Sequence, residues 1–225
     1  MPVALITGAG GALGRAVAQR LAADGHRLVL LDRDAAALER LFPQAGLCLA
    51  VDLTDEAAVQ GAVAAALARC TRVDVLVHVA GGFEMGEPVE ALTRVSWLRM
   101  LDLNAWSFVA LAHALVPAMR RQGGGRIVAV SAAAAGAGQA LKGAYIASKS
   151  ALQRLVETLA DEVAGDGIRV LSVAPTTLDT PANRAAMPEA DRRAWVDTAQ
   201  AAAAIAFAVS DEGGALGGPH LRLGR

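Results

Sequence analysis

The chain has 225 residues, 54% of them hydrophobic, enough for one sizeable core; its net charge of -1, with arginines scattered among acids, leaves no electrostatic footprint for nucleic acid or an anionic membrane. Cys48 and Cys70 stand far apart and the histidines lie singly, so neither a disulfide framework nor a zinc site is signalled. The opening "MPVALITGAGG" runs straight into a strand and a glycine turn, with no charged leader and no apolar span of about 18 residues, so a cytoplasmic protein acting on a small molecule is expected.

Short apolar runs at 3–7, 27–31, 47–51, 73–79, 126–131 and 168–174 predict strands, and a seventh is placed at 220–223. Between them, alanine-rich stretches of helical period predict helices at 12–23, 34–41, 55–69, 95–121, 145–164 and 198–210. Gly123-Gly124-Gly125 and Gly165-Asp166-Gly167 are helix stops. The strands are apolar nearly throughout, as they are when helices cover both faces of a parallel sheet. With no internal repeat and no linker, the expectation is one α/β domain over 1–225, in three layers around a doubly wound parallel sheet of about seven strands.

Thr7-Gly8-Ala9-Gly10-Gly11-Ala12-Leu13-Gly14 follows the first strand and opens the first helix, the context that a glycine-rich phosphate loop requires. Glycines let the backbone turn tightly and approach a pyrophosphate, while the helix N-terminus supplies unpaired N–H groups and positive potential. Gly8, Gly10, Gly11, Leu13 and Gly14 are therefore candidates for holding a dinucleotide, against the alternative of an empty surface turn. Asp32 ends the second strand, placed to accept from the adenosine ribose hydroxyls and to repel a 2′-phosphate. That favours NAD, while the neighbouring Arg33 could hold the phosphate and keeps NADP open. Asp52 and Leu53 follow the third strand, where an adenine contact competes with a place in the N-cap region of the next helix.

Tyr145 is the lone tyrosine and Lys149 one of only two lysines, and they stand four residues apart on one face of a predicted helix. An unperturbed phenol, with a pKa of about 10, is a poor proton donor or acceptor at neutral pH, and a nearby ammonium is expected to bring it down. The alternative is a buried aromatic with a lysine snorkelling beside it. Asn104, in "LDLNAW", lies among Leu98, Leu101, Phe108 and Leu111, an apolar setting in which an amide needs partners.

Taken in order, the glycine loop, Asp52, "HVAGG" at 78–82, Asn104, Tyr145-x-x-x-Lys149 and the segment 175–180 make the chain resemble the short-chain dehydrogenase/reductase family over almost its whole length. The resemblance implies a Rossmann-type sheet of strand order 3-2-1-4-5-6-7 and hydride transfer to or from a nicotinamide. It implies that Tyr145 exchanges the proton, that Lys149 tunes it and holds the nicotinamide ribose, and that Asn104 serves a water relay. Ala80 and Gly81 would lie against the cofactor, Pro175 beneath the nicotinamide and Thr180 at its carboxamide. A homodimer or homotetramer through the helices at 95–121 and 145–164 is also implied.

The pattern breaks at one position that matters. The family's carbonyl-polarising serine stands thirteen residues before the tyrosine, and counting back from Tyr145 lands on Ala132. Ser131 is one residue off, and in a strand one residue reverses the side chain unless a bulge re-aims it. Ala12, His78 and Thr176 also depart from the usual pattern. "GALG", "VAGG", the alanine at 132 and "LDTPANRAAMPEADRRAW" resemble one branch of the family, the quinoid dihydropteridine reductases, whose ring substrate does not require that serine. A short substrate loop at 177–197 is expected, with Phe83, Met187 and Trp195 as candidate walls of a small site. Three functions stay open: reduction of a quinonoid dihydropterin-like compound, a generic small carbonyl or alcohol dehydrogenase, and a dinucleotide-binding sensor or scaffold with weakened catalysis.

Overall fold

The computed structural model describes residues 1–224. Its frame is a parallel sheet of seven strands in the order β3-β2-β1-β4-β5-β6-β9. In chain order these are β1 (Val3–Thr7), β2 (Arg27–Asp32), β3 (Leu47–Ala50), β4 (Val75–His78), β5 (Gly125–Val130), β6 (Ile168–Pro175) and, after a small separate pair, β9 (His220–Leu223). The pair, β7 (Leu178–Asp179) and β8 (Val196–Asp197), closes the base of the expected substrate loop and carries no periodicity signal because each strand is two residues long.

The helices are α1 (Ala12–Ala23), α2 (Ala35–Leu41), α3 (Glu56–Cys70), α4 (Arg94–Leu101), α5 (Ser107–Arg121), α6 (Gly143–Glu162), α7 (Pro181–Ala186) and α8 (Thr198–Val209). Asp34, Asp55 and Asp197 cap α2, α3 and α8 by accepting from first-turn N–H groups, and caps of this kind contribute ~1 kcal/mol each. Strand alternation sends Leu5, Val29, Leu76 and Ile127 to a core under α3, α5 and α6. It sends Ala4, Ile6, Leu30 and Val77 to a second core under α1, α2 and α8. These are the two outer layers.

Two expectations need correction. The helix expected at 95–121 is interrupted by a π-helical turn, Asp102–Trp106, between α4 and α5. Wider turns of this kind recur at functional sites, and this one carries Asn104. The run Arg94–Arg121 also contains an 18-residue stretch of mean hydropathy 1.2, long and apolar enough by composition to cross a membrane, contrary to expectation. Half of that stretch is buried inside the protein, the burial expected of a core helix.

Candidate active site

The strand order reverses between β1 and β4, and the crevice beyond the C-terminal ends of strands at such a switch point is where open α/β sheets bind ligands. Four segments converge there: the loop after β1, Ala80–Gly82 after β4, Ser131–Ala132 after β5, and Pro175 at the end of β6. Gly8 has φ +64°, and a Cβ on it would sit 2.8 Å from the backbone nitrogen of Ala80, so the two loops interlock only with glycine here. Gly11 precedes α1 with no side-chain cap, and the first turn of α1 contains no acid, so its N–H groups are left for an anion. Leu13, by contrast, is buried and packs the underside of the loop into the core.

Asp32 holds the glycine loop from the side. Its Oδ2 accepts from the Gly10 N–H at 2.8 Å, and its Oδ1 from the Arg33 N–H at 2.8 Å. Asp52 accepts from both the backbone and the hydroxyl of Thr54, and these bonds, helped by Arg33, hold its carboxyl below the usual range. It thus shapes the turn leading to α3, with Leu53 buried beneath. An uncapped helix start, a loop that admits no Cβ at Gly8 or Gly14 and a carboxylate at the end of β2 fit a dinucleotide.

Lys149 is buried on α6, and its Nζ donates to the Val130 carbonyl at 2.8 Å. Loss of hydration pushes its pKa down to about 8. Gly81 passes so close that a Cβ would lie 2.7 Å from Asn104 Oδ1 and 3.0 Å from Lys149 Nζ. Asn104 is fully buried, donating to Gly82 O and Ser148 Oγ, each at 3.0 Å, and accepting from Gly82 N–H at 2.9 Å. Its side chain is therefore satisfied by a loop and a neighbouring helix. Tyr145 takes Phe83 edge-on, with ring centroids 4.8 Å apart. Its pKa moves up rather than down, because burial outweighs any help from Lys149. The phenol of this chain is a held proton at neutral pH.

The short-chain dehydrogenase family model matches residues 2–191. The chain belongs to that family. A D-threitol dehydrogenase of Mycolicibacterium smegmatis is 33% identical over 97% of this chain and 90% of its own length. A cis-4-hydroxycyclohexanecarboxylate dehydrogenase of Sinomonas cyclohexanicum is 34% identical over 93% and 89%. Among solved structures, an NAD+-bound xylitol dehydrogenase superposes with a TM-score of 0.91 at 26% identity, covering 99% of this chain and 97% of that one. Short-chain dehydrogenases take nicotinamide dinucleotides, which agrees with the fit of the glycine loop and Asp32.

Against the family pattern, the serine question has a geometric answer. β5 stays in register with β6 from Gly125 to Val130, and the Ser131 N–H continues the ladder to the Val173 carbonyl, so no bulge intervenes. The Ser131 hydroxyl points to the Lys149 carbonyl of α6, at 3.5 Å. Ala132 occupies the next position, and both residues line a cavity of about 510 Å³ together with Tyr145, Lys149, Gly81 and Pro175.

Other expected residues fall elsewhere. Thr180 is the N-cap of α7, accepting from Asn183 N–H at 3.1 Å, and it is Thr176, Thr177 and Leu178 that reach the cavity. Phe83 and Met187 are walls, whereas Trp195 lines a separate hollow with Gln200 and Leu223. Among the cavity residues that motif reasoning misses are two cations, Lys142 and Arg222. The first carried a signal, as the only other lysine; the second carried none. His78 is also resolved as a structural link. Ser107 Oγ donates to Leu103 O, so His78 Nε2 donates to Ser107 and Nδ1 accepts from Thr7 Oγ1. Burial and the Lys149 charge hold its pKa at about 3, so it stays neutral.

Proposed function

We propose that this chain is an NAD-preferring reductase that transfers hydride between nicotinamide and a small carbonyl or alcohol, working as one dinucleotide-binding unit over 1–225 with its substrate loop at 177–197. The observation that carries the reading is the placing of Tyr145 and Lys149 on one cavity, against Gly81 and Pro175, beside a glycine loop braced by Asp32. The bound cofactor supplies or accepts the hydride. The N–H groups at the start of α1, with Gly8, Gly10, Gly11 and the backbone of Leu13 and Gly14, hold its phosphates. Asp32 accepts from its adenosine ribose and repels a 2′-phosphate, which favours NAD. Asp52 and Leu53 border the adenine, Ala80, Gly81 and Pro175 bound the nicotinamide, and Thr180 fixes the turn that approaches its carboxamide. Lys149 orients the ribose.

Tyr145 donates the proton as the substrate oxygen gains charge, and a phenol kept protonated by burial suits reduction. Asn104 holds the Gly81–Gly82 wall, and Ser131 steadies α6 through the Lys149 carbonyl. We place the protein in the cytoplasm. Exposed Val95, Trp97, Leu98 and Trp106 on the helical run 94–121 support pairing of copies in a homodimer or homotetramer. The test is NADH oxidation over a panel of small ketones. Tyr145→Phe should lower kcat by ~10²- to 10⁴-fold while NADH affinity stays nearly unchanged. Turnover equal to the unmodified protein would remove the assignment.

A second reading, reduction of a quinonoid dihydropterin, is favoured by Ala132: a conjugated, electron-poor ring accepts hydride without a hydroxyl on one oxygen, and Phe83 supplies a flat wall. The names of the relatives reported above concern polyols and a hydroxy acid, which favours the generic reading. A dinucleotide sensor with weakened catalysis is the third, and measurable turnover on any of these substrates disposes of it.

A further inference from the structure

We propose that the substrate of this site carries a carboxylate, seated by Lys142 and Arg222. The proposal rests on the reductase reading above and adds the class of substrate. Three cations line the cavity, Lys142, Lys149 and Arg222, and among the described residues no Asp or Glu does. Much of the remaining lining is apolar, including Phe83, Val130, Leu178 and Met187, and low-dielectric walls concentrate a field of one sign. Lys149 is committed to the Val130 carbonyl, so exposed Arg222 and half-buried Lys142 are the cations left to meet a ligand.

Neither has its charge neutralised by a described residue. Lys142 Nζ donates to the neutral amide of Gln139 at 2.9 Å, and among the described residues neither side chain has a carboxylate within salt-bridge reach. Lys142 also borders a neighbouring hollow that contains Glu84 and Glu87, but Glu84 pairs with Arg99 and Glu87 accepts from Ser96.

Position separates both from the phosphates. Arg222 pairs in register with Ala174, two residues on from the His220–Ser172 pair, and residues i and i+2 share a face. His220 on that face bonds Glu157 of α6, whereas the glycine loop packs under α1 on the opposite face. Lys142 is the N-cap residue of α6, three before Tyr145. Its backbone is pinned: Leu141 is held at φ +62°, a conformation unfavourable for its side chain. The Gly86 N–H donates to Leu141 O at 2.8 Å, and the backbones of Glu87 and Lys142 form an isolated parallel β-bridge. Strain kept by such bracing presents Lys142 at the rim beside the proton donor. The substrate is thus a small keto acid or hydroxy acid whose carboxylate lies away from the reacting carbon.

The test compares 4-oxocyclohexanecarboxylate with 4-oxocyclohexanecarboxamide as substrates with NADH, and cyclohexanecarboxylate with cyclohexanecarboxamide as unreactive ligands of the NADH complex by calorimetry. The carboxylate should be favoured by ~10-fold in kcat/KM, chiefly through KM, and the preference should shrink as salt is raised. Lys142→Ala and Arg222→Ala should each cut the carboxylate-to-amide ratio by ~3-fold, and Lys142→Arg should restore most of it. A ratio near one, or a ratio neither variant changes, overturns the proposal and leaves the reductase standing. Selective binding of cyclohexanecarboxylate without turnover of either ketone keeps the anion site and overturns the reductase reading for these ketones. Binding of neither ring compound, or of both equally, overturns the anion site.

Discussion

The side-chain amide of Asn104 grips both backbone polar groups of Gly82, accepting from its N–H at 2.9 Å and donating to its carbonyl at 3.0 Å. A π-helical turn is what aims the amide there, and the loop it grips is the one that threads between Asn104 and Lys149. Asn104→Ala should therefore destabilise the fold by ~1–3 kcal/mol through unsatisfied groups at Gly82 and weaken NADH binding as the loop relaxes. Thermal melting and fluorescence titration check it, and unchanged values for both would show the grip to be idle.

Lys149 gives a pH dependence. With its pKa near 8, the side chain is a cation below that pH and neutral above it, so NADH affinity of the free protein should fall as pH rises through 8. Stability moves the other way. Between pH 8 and 10.5 the unfolded chain keeps a proton that the folded chain has shed, so the contribution of Lys149 to stability rises with pH in that window. Lys149→Met should flatten both trends; an affinity that falls just as steeply in that variant assigns the titration to another group.

Asp32 should set cofactor choice. NADH is expected to bind more tightly than NADPH, and Asp32→Ala to narrow the gap by removing repulsion of the 2′-phosphate. The same change frees the Gly10 N–H, so NADH itself should bind less well in the variant. Tighter NADPH binding by the unmodified protein would hand the pocket to Arg33.

Ala132→Ser restores a hydroxyl where the wider family has one. It should speed ketone reduction more than reduction of quinonoid dihydropterin, since only the ketone gathers charge on a single oxygen. Paired rate measurements on both substrates and both proteins decide it. A faster pterin reaction with no gain on ketones would contradict the argument.

Much of the frame is legible in the sequence because it depends on local periodicity: the six apolar runs and the stretch at 220–223 became the seven strands of the sheet, and their order is the one the family resemblance implied. Less legible is whatever depends on three-dimensional company. Nothing local distinguishes the π-helical turn at Asp102–Trp106 from plain helix, and the two-residue strands β7 and β8 are too short to show a period. The direction of the Tyr145 shift could not be had from the spacing to Lys149, because the spacing reveals the cation and hides the burial. Nor does position reveal that the Thr180 hydroxyl accepts from the Asn183 N–H and so starts α7, with its own O–H left to donate. Trp195 lies within the proposed substrate loop but lines a different hollow, and Arg222 reaches the cavity from the last strand.

The small parallel pairing of Leu178 with Val196 and Asp179 with Asp197 makes the proposed substrate loop a drawstring purse, tied at its neck. On one side of the knot β6 ends at Pro175, and on the other Asp197 immediately starts α8, so both cords are anchored in the frame. What hangs between them is α7 and the turn at Arg192–Ala194. The contents of the purse can be exchanged, lengthened or trimmed without retying the sheet, and this is the segment through which selection or a protein engineer would reach a new substrate while keeping the same redox apparatus.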